Sequence, residues 1–245
     1  MTQSASIHIP TFVFIGGPLL HAGYVTRLFK AEKAGKITFD RIVIIDRDPN
    51  CAAAPLVGDR LRIDPVSWDE WLAAHLSSCS EADHLVPYHW APHVLLEWLS
   101  TDLQRAGFSL LRTPHQSDPP ARPPVFRETQ AGDLAMSYAE WLCPPACIEP
   151  ALCPHTRSDK WWSLATELKV ADRSFAFPCM HLAYGVGTIP LSAIFDIRDK
   201  IQGLASDLAA QDRPDEEVWI GTASHCHALT ARARLSKLPS PCPTL

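Results

Sequence analysis

The sequence predicts an α/β fold, a doubly wound and mostly parallel sheet with a cysteine- and proline-rich loop inserted in it. Three observations predict it. Residues 11–15 (TFVFI) form a short apolar run of β-formers that ends in Gly16-Gly17, and apolar residues at helical spacing and a second apolar strand at 41–46 follow. Strand and helix patterns then keep alternating as far as Leu111. Between Cys143 and His155, thirteen residues hold three of the eight cysteines, a histidine and four prolines. Proline fixes φ and removes a backbone donor, so that stretch is a stiff loop presenting thiols and not a regular helix or strand.

Each element has its own signal. Leu19, Leu20, Tyr24, Leu28 and Phe29 give the first helix its apolar face, and Gly35 closes it. The strand at 41–46 (RIVIID) reads as buried on both faces, which completes a βαβ unit. Its right-handed crossover puts the glycine turn and Asp46 together at the carboxyl edge of the sheet, where open α/β folds bind ligands. Residues 60–63 read as a strand. Ser67 and Glu70 then form a capping box for a helix faced by Trp68, Trp71, Leu72 and Leu76. A strand at 83–88, a helix at 92–105 stopped by Gly107, and a strand at 108–111 continue the alternation.

Pro114, Pro119, Pro120, Pro123 and Pro124 mark residues 113–135 as an excursion from the sheet. Beyond the cysteine loop the pattern predicts a helix over 160–170, an extended piece at 174–178, a long helix over 190–210 and a final strand at 217–222. That strand leads into His225-Cys226-His227 and an Ala/Arg-rich helix. Three segments follow: a nucleotide-binding half at 1–112, a Pro/Cys-rich insertion at 113–159, and an α/β segment at 160–245 that completes the sheet.

Bulk composition narrows the function. Twenty-two basic against 27 acidic residues, a formal net charge of -5 and a pI near 6.1 argue against a nucleic-acid or anionic-membrane partner. No run approaches the roughly 20 apolar residues of a membrane helix, and residues 1–10 lack a signal-peptide pattern, so a cytoplasmic location without membrane insertion is expected. In that setting eight cysteines read as metal ligands or redox thiols and not as a disulfide framework.

The glycine turn lets backbone amides and a helix terminus face a pyrophosphate, and an acid ending the second strand can accept from ribose hydroxyls. Gly16, Gly17 and Asp46 occupy those places. With the strand end Ile44-Ile45-Asp46-Arg47-Asp48, with Asp64 before an acidic helix, and with the unit running from Pro92 to Gly107, the first 112 residues resemble Rossmann-type NAD(P)-binding proteins. The saccharopine dehydrogenase-like and TrkA-N families are the nearest in pattern. The resemblance implies a Rossmann-like fold and NAD(P) as cofactor. Gly16-Gly17-Pro18-Leu19-Leu20-His21 departs from the G-x-G-x-x-G fingerprint, and Pro18 has no amide to donate. The amino-terminal domain of ATP-grasp ligases begins similarly, but the remaining chain is too short for the domains that follow there. The plainer account is that the glycines permit a tight turn and Asp46 caps it.

Cys143, Cys147 and Cys153, with Cys179 from the later Pro178-Cys179-Met180-His181, supply four thiolates for an iron-sulfur cluster, and the Cys-Pro pairs favour one. His155 as a mixed ligand and the first spacing suit zinc. Glu149 is a ligand, a proton carrier or a solvated loop acid. Ser224-His225-Cys226-His227 offers a second metal site or a thiol beside a base, or else a helix cap. Tyr88-His89-Trp90 and the glycines of Tyr184-Gly185-Val186-Gly187 are lesser rim positions. The expected function is an oxidoreductase or redox protein with a pocket for a nucleotide or small molecule, a cysteine-ligated iron-sulfur or zinc centre and a protein redox partner. The alternatives are a zinc- or cluster-stabilised binding module and a metallocentre assembly protein.

Overall fold

A computed structural model describes residues 6–87, 92–114 and 119–238. The amino-terminal part follows the sequence closely. Strand β1 (Ile7–Ile15), helix α1 (Leu19–Lys33) and strand β2 (Ile37–Ile45) form the expected βαβ unit, and β3 (Leu61–Asp64) and β4 (His84–Val86) extend it. Ser67 and Glu70 make the expected capping box at α2 (Trp68–His75). Helix α3 spans Pro92–Arg105. Tyr88, His89 and Trp90 lie outside the described residues.

The single doubly wound sheet is corrected to two mixed sheets. In the first, β3, β2, β1 and β4 run parallel in that order. They are followed by β10 (Val186–Pro190), antiparallel to β4, and β9 (Met180–Leu182), antiparallel to β10. Only residues 183–185 separate β9 from β10, too few for the crossover a parallel pair needs. The left-handed backbone at Tyr184 (φ 61°) and Gly185 (φ 74°) turns the chain there.

The second sheet collects what was expected to complete the first. Strand β5 (Phe108–Arg112) and strands β6 (Val125–Glu128) and β7 (Leu134–Ser137) from the proline-rich excursion join β8 (Ser174–Pro178), β11 (Asp215–Ala223) and β12 (His227–Lys237). Both β5 and β7 pair with one edge of β12, and β11 pairs with the other. The expected Ala/Arg-rich helix is therefore a strand. Ala231, Ala233 and Leu235 are buried in alternation with Arg232 and Arg234, both of which pair with Glu217. That period of two, packed against a sheet, overrides the helix propensity of alanine and arginine.

Five layers result. Helix α1 covers one face of the first sheet through Phe12, Phe14, Val25, Leu28, Ile42 and Ile44. The largest core, between the sheets, holds α3 and α5 (Leu191–Ala210), with Val13, Ile15 and Leu85 on one side and Val218, Ile220 and Leu235 on the other. A small cluster around Leu164 and Leu168 of α4 (Leu164–Val170) covers the outer face of the second sheet. No helix among the described residues is long and apolar enough to cross a membrane.

Candidate metal-thiolate centre

At the carboxyl edge of the parallel strands, the glycine turn closes on itself. The Gly17 N–H donates to Asp46 Oδ2 at 2.7 Å, and Asp46 Oδ1 accepts from the Asp48 N–H at 2.9 Å. A Cβ on Gly17 would stand 2.3 Å from Cys51 Sγ, and one on Gly16 3.0 Å from the Trp68 ring, so both glycines serve close packing. Gly16, Gly17 and Asp46 are thus brought together as expected, with the amide and carboxylate oxygens meant for a nucleotide engaged inside the protein. A cleft of about 260 Å³ beside them is lined by Asp46, Asp69, Glu97, Arg47 and Trp68, a surface richer in carboxylates than a pyrophosphate would favour.

The cysteine loop is pinned from three sides. Arg27 of α1 donates to the Pro145 carbonyl at 2.7 Å. Gly185 lets the loop backbone lie against it, since a Cβ there would be 2.7 Å from the Pro145 oxygen. Glu149, with left-handed backbone (φ 51°), is buried and not the solvated acid the sequence allowed. Its carboxylate accepts from Ser224 Oγ at 2.8 Å, the His225 N–H at 2.9 Å and the Cys226 N–H at 3.3 Å, and so fastens the loop to the turn between β11 and β12. Burial opposes its ionisation, but the charge of His181 and these donors outweigh burial and hold the carboxyl below its ordinary pKa.

That clamp sets which sulfurs are electrostatic neighbours. Cys143 lies within electrostatic reach of Cys147, Cys153 and Cys226. Cys179 has Glu149 and not a thiol as its electrostatic neighbour among the described residues. It packs on Gly187 near His181, and burial, reinforced by Glu149, pushes its pKa up to about 12. The fourth sulfur beside Cys143 is Cys226, from the constellation that the sequence had set apart. His155 stacks face to face on Trp141 with ring centroids 4.6 Å apart.

Donors converge on these sulfurs. The Glu149 N–H donates to Cys147 Sγ at 3.4 Å. Burial raises the Cys153 pKa, yet the His155 and Thr156 amides, the Thr156 hydroxyl and the Lys160 ammonium more than offset this and leave the thiol below its ordinary value. Trp141 faces Cys143 and Trp162 faces Cys226, while Lys160 stands beside Cys153 and Cys226. Both indole nitrogens are buried with only these sulfurs to donate to, and Lys160 Nζ is buried without a hydrogen-bonding partner. At Cys143 and Cys226 burial dominates and raises the thiol pKa. No three His, Cys, Asp or Glu side chains among the described residues stand in the geometry that holds one metal ion.

The histidines at the turn sit on a hairpin. Ser224 to His227 is a hairpin turn, closed by the Ser224 N–H on the His227 carbonyl at 2.8 Å, and not the start of a helix. The His227 ring bonds Ser137 Oγ through Nδ1 at 3.0 Å, and His181 Nδ1 bonds the Cys147 carbonyl at 3.1 Å. The sequence signal that could have recruited Cys226 is the hairpin itself, hidden by the apparent helix after it.

Fold and site together define an α/β protein of two mixed sheets with a clamped cysteine loop. Residues 93–236, more than half of the chain, match the AF_1314_C family, described as "Uncharacterized protein, C-terminal domain", and the chain belongs to that family. The match takes in the second sheet, the cysteine loop and Cys226, and leaves out β1 to β4. No curated protein and no solved structure is significantly similar to the chain.

Proposed function

We propose that the protein is a redox protein whose centre is an iron-sulfur cluster held by Cys143, Cys147, Cys153 and Cys226. One observation carries the reading: buried donors converge on the thiols, with the Trp141 and Trp162 indoles directed at Cys143 and Cys226 alone and the unpartnered Lys160 ammonium within electrostatic reach of Cys153 and Cys226. A buried N–H or ammonium without an acceptor costs about 1–3 kcal/mol, more when charged. A neutral thiol is a poor acceptor, whereas a metal-bound thiolate is an anion that such donors stabilise and whose potential they tune. Cluster binding would supply one-electron chemistry. The chain's own part is to hold the four sulfurs through the Glu149 clamp, surround them with donors and keep water off Cys153 and Cys226, both buried. NAD(P) at Gly16, Gly17 and Asp46 is not part of this reading, because their amide and carboxylate groups are already engaged.

Anaerobic purification with iron, sulfide and zinc analysis and an absorption spectrum tests it. We expect iron with acid-labile sulfide in the wild type and in Cys179→Ser, and its loss in Cys226→Ser. An unchanged centre in Cys226→Ser would overturn the ligand set. Zinc in place of iron would overturn the redox role and leave a metal-stabilised binding module, and a metal-free protein would overturn the reading altogether.

A further inference from the structure

The cysteine loop carries an open apolar surface. Every residue of 142–148 other than the two thiols is apolar and exposed: Leu142 at 97 %, Pro144, Pro145, Ala146 and Ile148. A turn closed by the Cys147 N–H on the Pro144 carbonyl at 2.9 Å presents Pro145 and Ala146 at its tip. Cys143 and Cys147, both half-buried within this stretch, are the proposed ligands nearest solvent, whereas Cys153 and Cys226 are buried. Burying a leucine or isoleucine side chain stabilises by about 1.5–3 kcal/mol, so a run of apolar residues left open on a loop held in place marks a contact surface.

A basic face adjoins it. Arg27 of α1 donates to the Pro145 carbonyl at 2.7 Å and to the Tyr184 carbonyl at 3.3 Å, and Gly185 lies against Pro145 and Ala146. The ammonium groups of Lys30 and Lys36 stand 4.8 and 5.1 Å from the centroid of the Tyr184 ring, which gathers both on the loop's side of the helix. With the exposed Lys33, residues 19–36 carry four cations. The acids on 19–36 and 140–149 are fewer: Glu32 is paired with Arg60 at 2.8 Å, Glu149 is buried in its clamp, and Glu140 is exposed. Four cations against the two carboxylates without a basic partner leave this face locally positive on a chain of net charge -5.

From this juxtaposition we infer that the 142–148 loop and the α1 face carrying Arg27, Lys30 and Lys36 form the docking surface for an acidic electron-transfer protein. An apolar centre with a charged rim is the anatomy of a protein contact, and opposite charge steers brief encounters between carriers. Position decides the partner's kind, because the surface covers the two least buried thiols of the proposed centre. A carrier seated there exchanges one electron over the shortest path, one side oxidised and the other reduced, with no bond made or broken. The inference deepens the proposed function and rests on it for the partner's redox role, while the surface itself is built from polypeptide alone.

Calorimetric titration of the full chain with an oxidised plant-type ferredoxin, an acidic carrier, is the test, after the metal content of the chain has been assayed. Saturable binding is expected, weakened at least tenfold between about 0.01 M and about 0.15 M salt. At low salt Lys30→Glu/Lys36→Glu and Leu142→Asp should each weaken it as much. Lys169→Glu/Lys237→Glu, the same change of charge on exposed lysines of α4 and β12, should bind like the wild type. Circular dichroism of each variant reports folding. Absence of saturable binding, equal binding of the basic carrier cytochrome c, or equal weakening in Lys169→Glu/Lys237→Glu would overturn the inference. So would phosphatidylserine vesicles bound through Leu142 and the lysines, or a dimer in sedimentation that Lys30→Glu/Lys36→Glu dissociates, since each gives the surface another occupant. Salt-sensitive ferredoxin binding by protein that proves metal-free would sustain the surface and sink only the proposed centre.

Discussion

The glycine turn and the cysteine loop are both irregular segments at the ends of strands, yet they treat their polar groups in opposite ways. At the turn every donor that matters finds an oxygen: the Gly17 and Asp48 amides both go to Asp46, and Cys51 and Trp68 fill the remaining space. Around the loop, two buried indoles meet nothing but thiol sulfur, and a buried ammonium finds no partner. A buried polar group is costly unless it is paired, so the first region is complete by itself, whereas the second would be completed by the cluster proposed above. A glycine-rich motif identifies a turn. It is the pattern of unmet donors that separates a structural turn from a site.

The harshest way to break this contrast is Glu149→Ala, which strands three donors at the hairpin turn. We expect a loss of about 3 kcal/mol or more in denaturant unfolding, together with loss of the centre, while Glu149→Gln loses less. Acid titration separates the two halves. His84, buried and bonded to Thr188 at 2.9 Å across β4 and β10, has its pKa lowered from 6.5 to about 4, chiefly by burial. The unfolded state binds the proton more readily, so this contribution is present above pH 6.5 and disappears as pH falls from 6.5 towards 4. It amounts to roughly 2–3 kcal/mol, and His84→Asn should flatten that part of the stability curve. Glu149 works lower: its carboxyl is depressed below its ordinary value of 4.5, so its stabilisation is full above that pH and is lost as pH falls through the depressed value. Glu149→Gln should remove the acid limb below pH 4.5 and leave the His84 limb alone.

Gly185→Ala puts a side chain at φ 74° and 2.7 Å from the Pro145 oxygen. It should cost about 2 kcal/mol and loosen the loop, read as a lower metal content. The smallest effect sharpens the contrast most. Asp46→Ala removes the acceptor for two amides and should cost about 1 kcal/mol without changing metal content.

The amino-terminal half was legible because its signals are local: apolar strands, the Ser67–Glu70 box, and Gly35 and Gly107, which both adopt positive φ as helix-ending glycines do. The second sheet was obscured by competing patterns. Ala231 to Arg234 carries helix propensity, and only its alternation with a buried face marks a strand. Prolines near residue 120 concealed the short strands β6 and β7. Within the site, Cys143, Cys147 and Cys153 stood out by density. Cys226 did not, because its proximity depends on a hairpin and on Glu149, whose burial no composition signals. Cys179 was read as a later thiol able to complete a four-ligand site, and in the fold it packs against Gly187.

The long strand β12 has a temporal consequence. Leu110 pairs with Leu235, and Cys226 precedes β12 by a single residue. During synthesis the loop thiols therefore emerge well before the strand that anchors Cys226, and contacts so distant in sequence form slowly. Until that strand has paired, the three loop cysteines stand without Cys226 beside them, and their oxidation is expected to compete with closure of the hairpin.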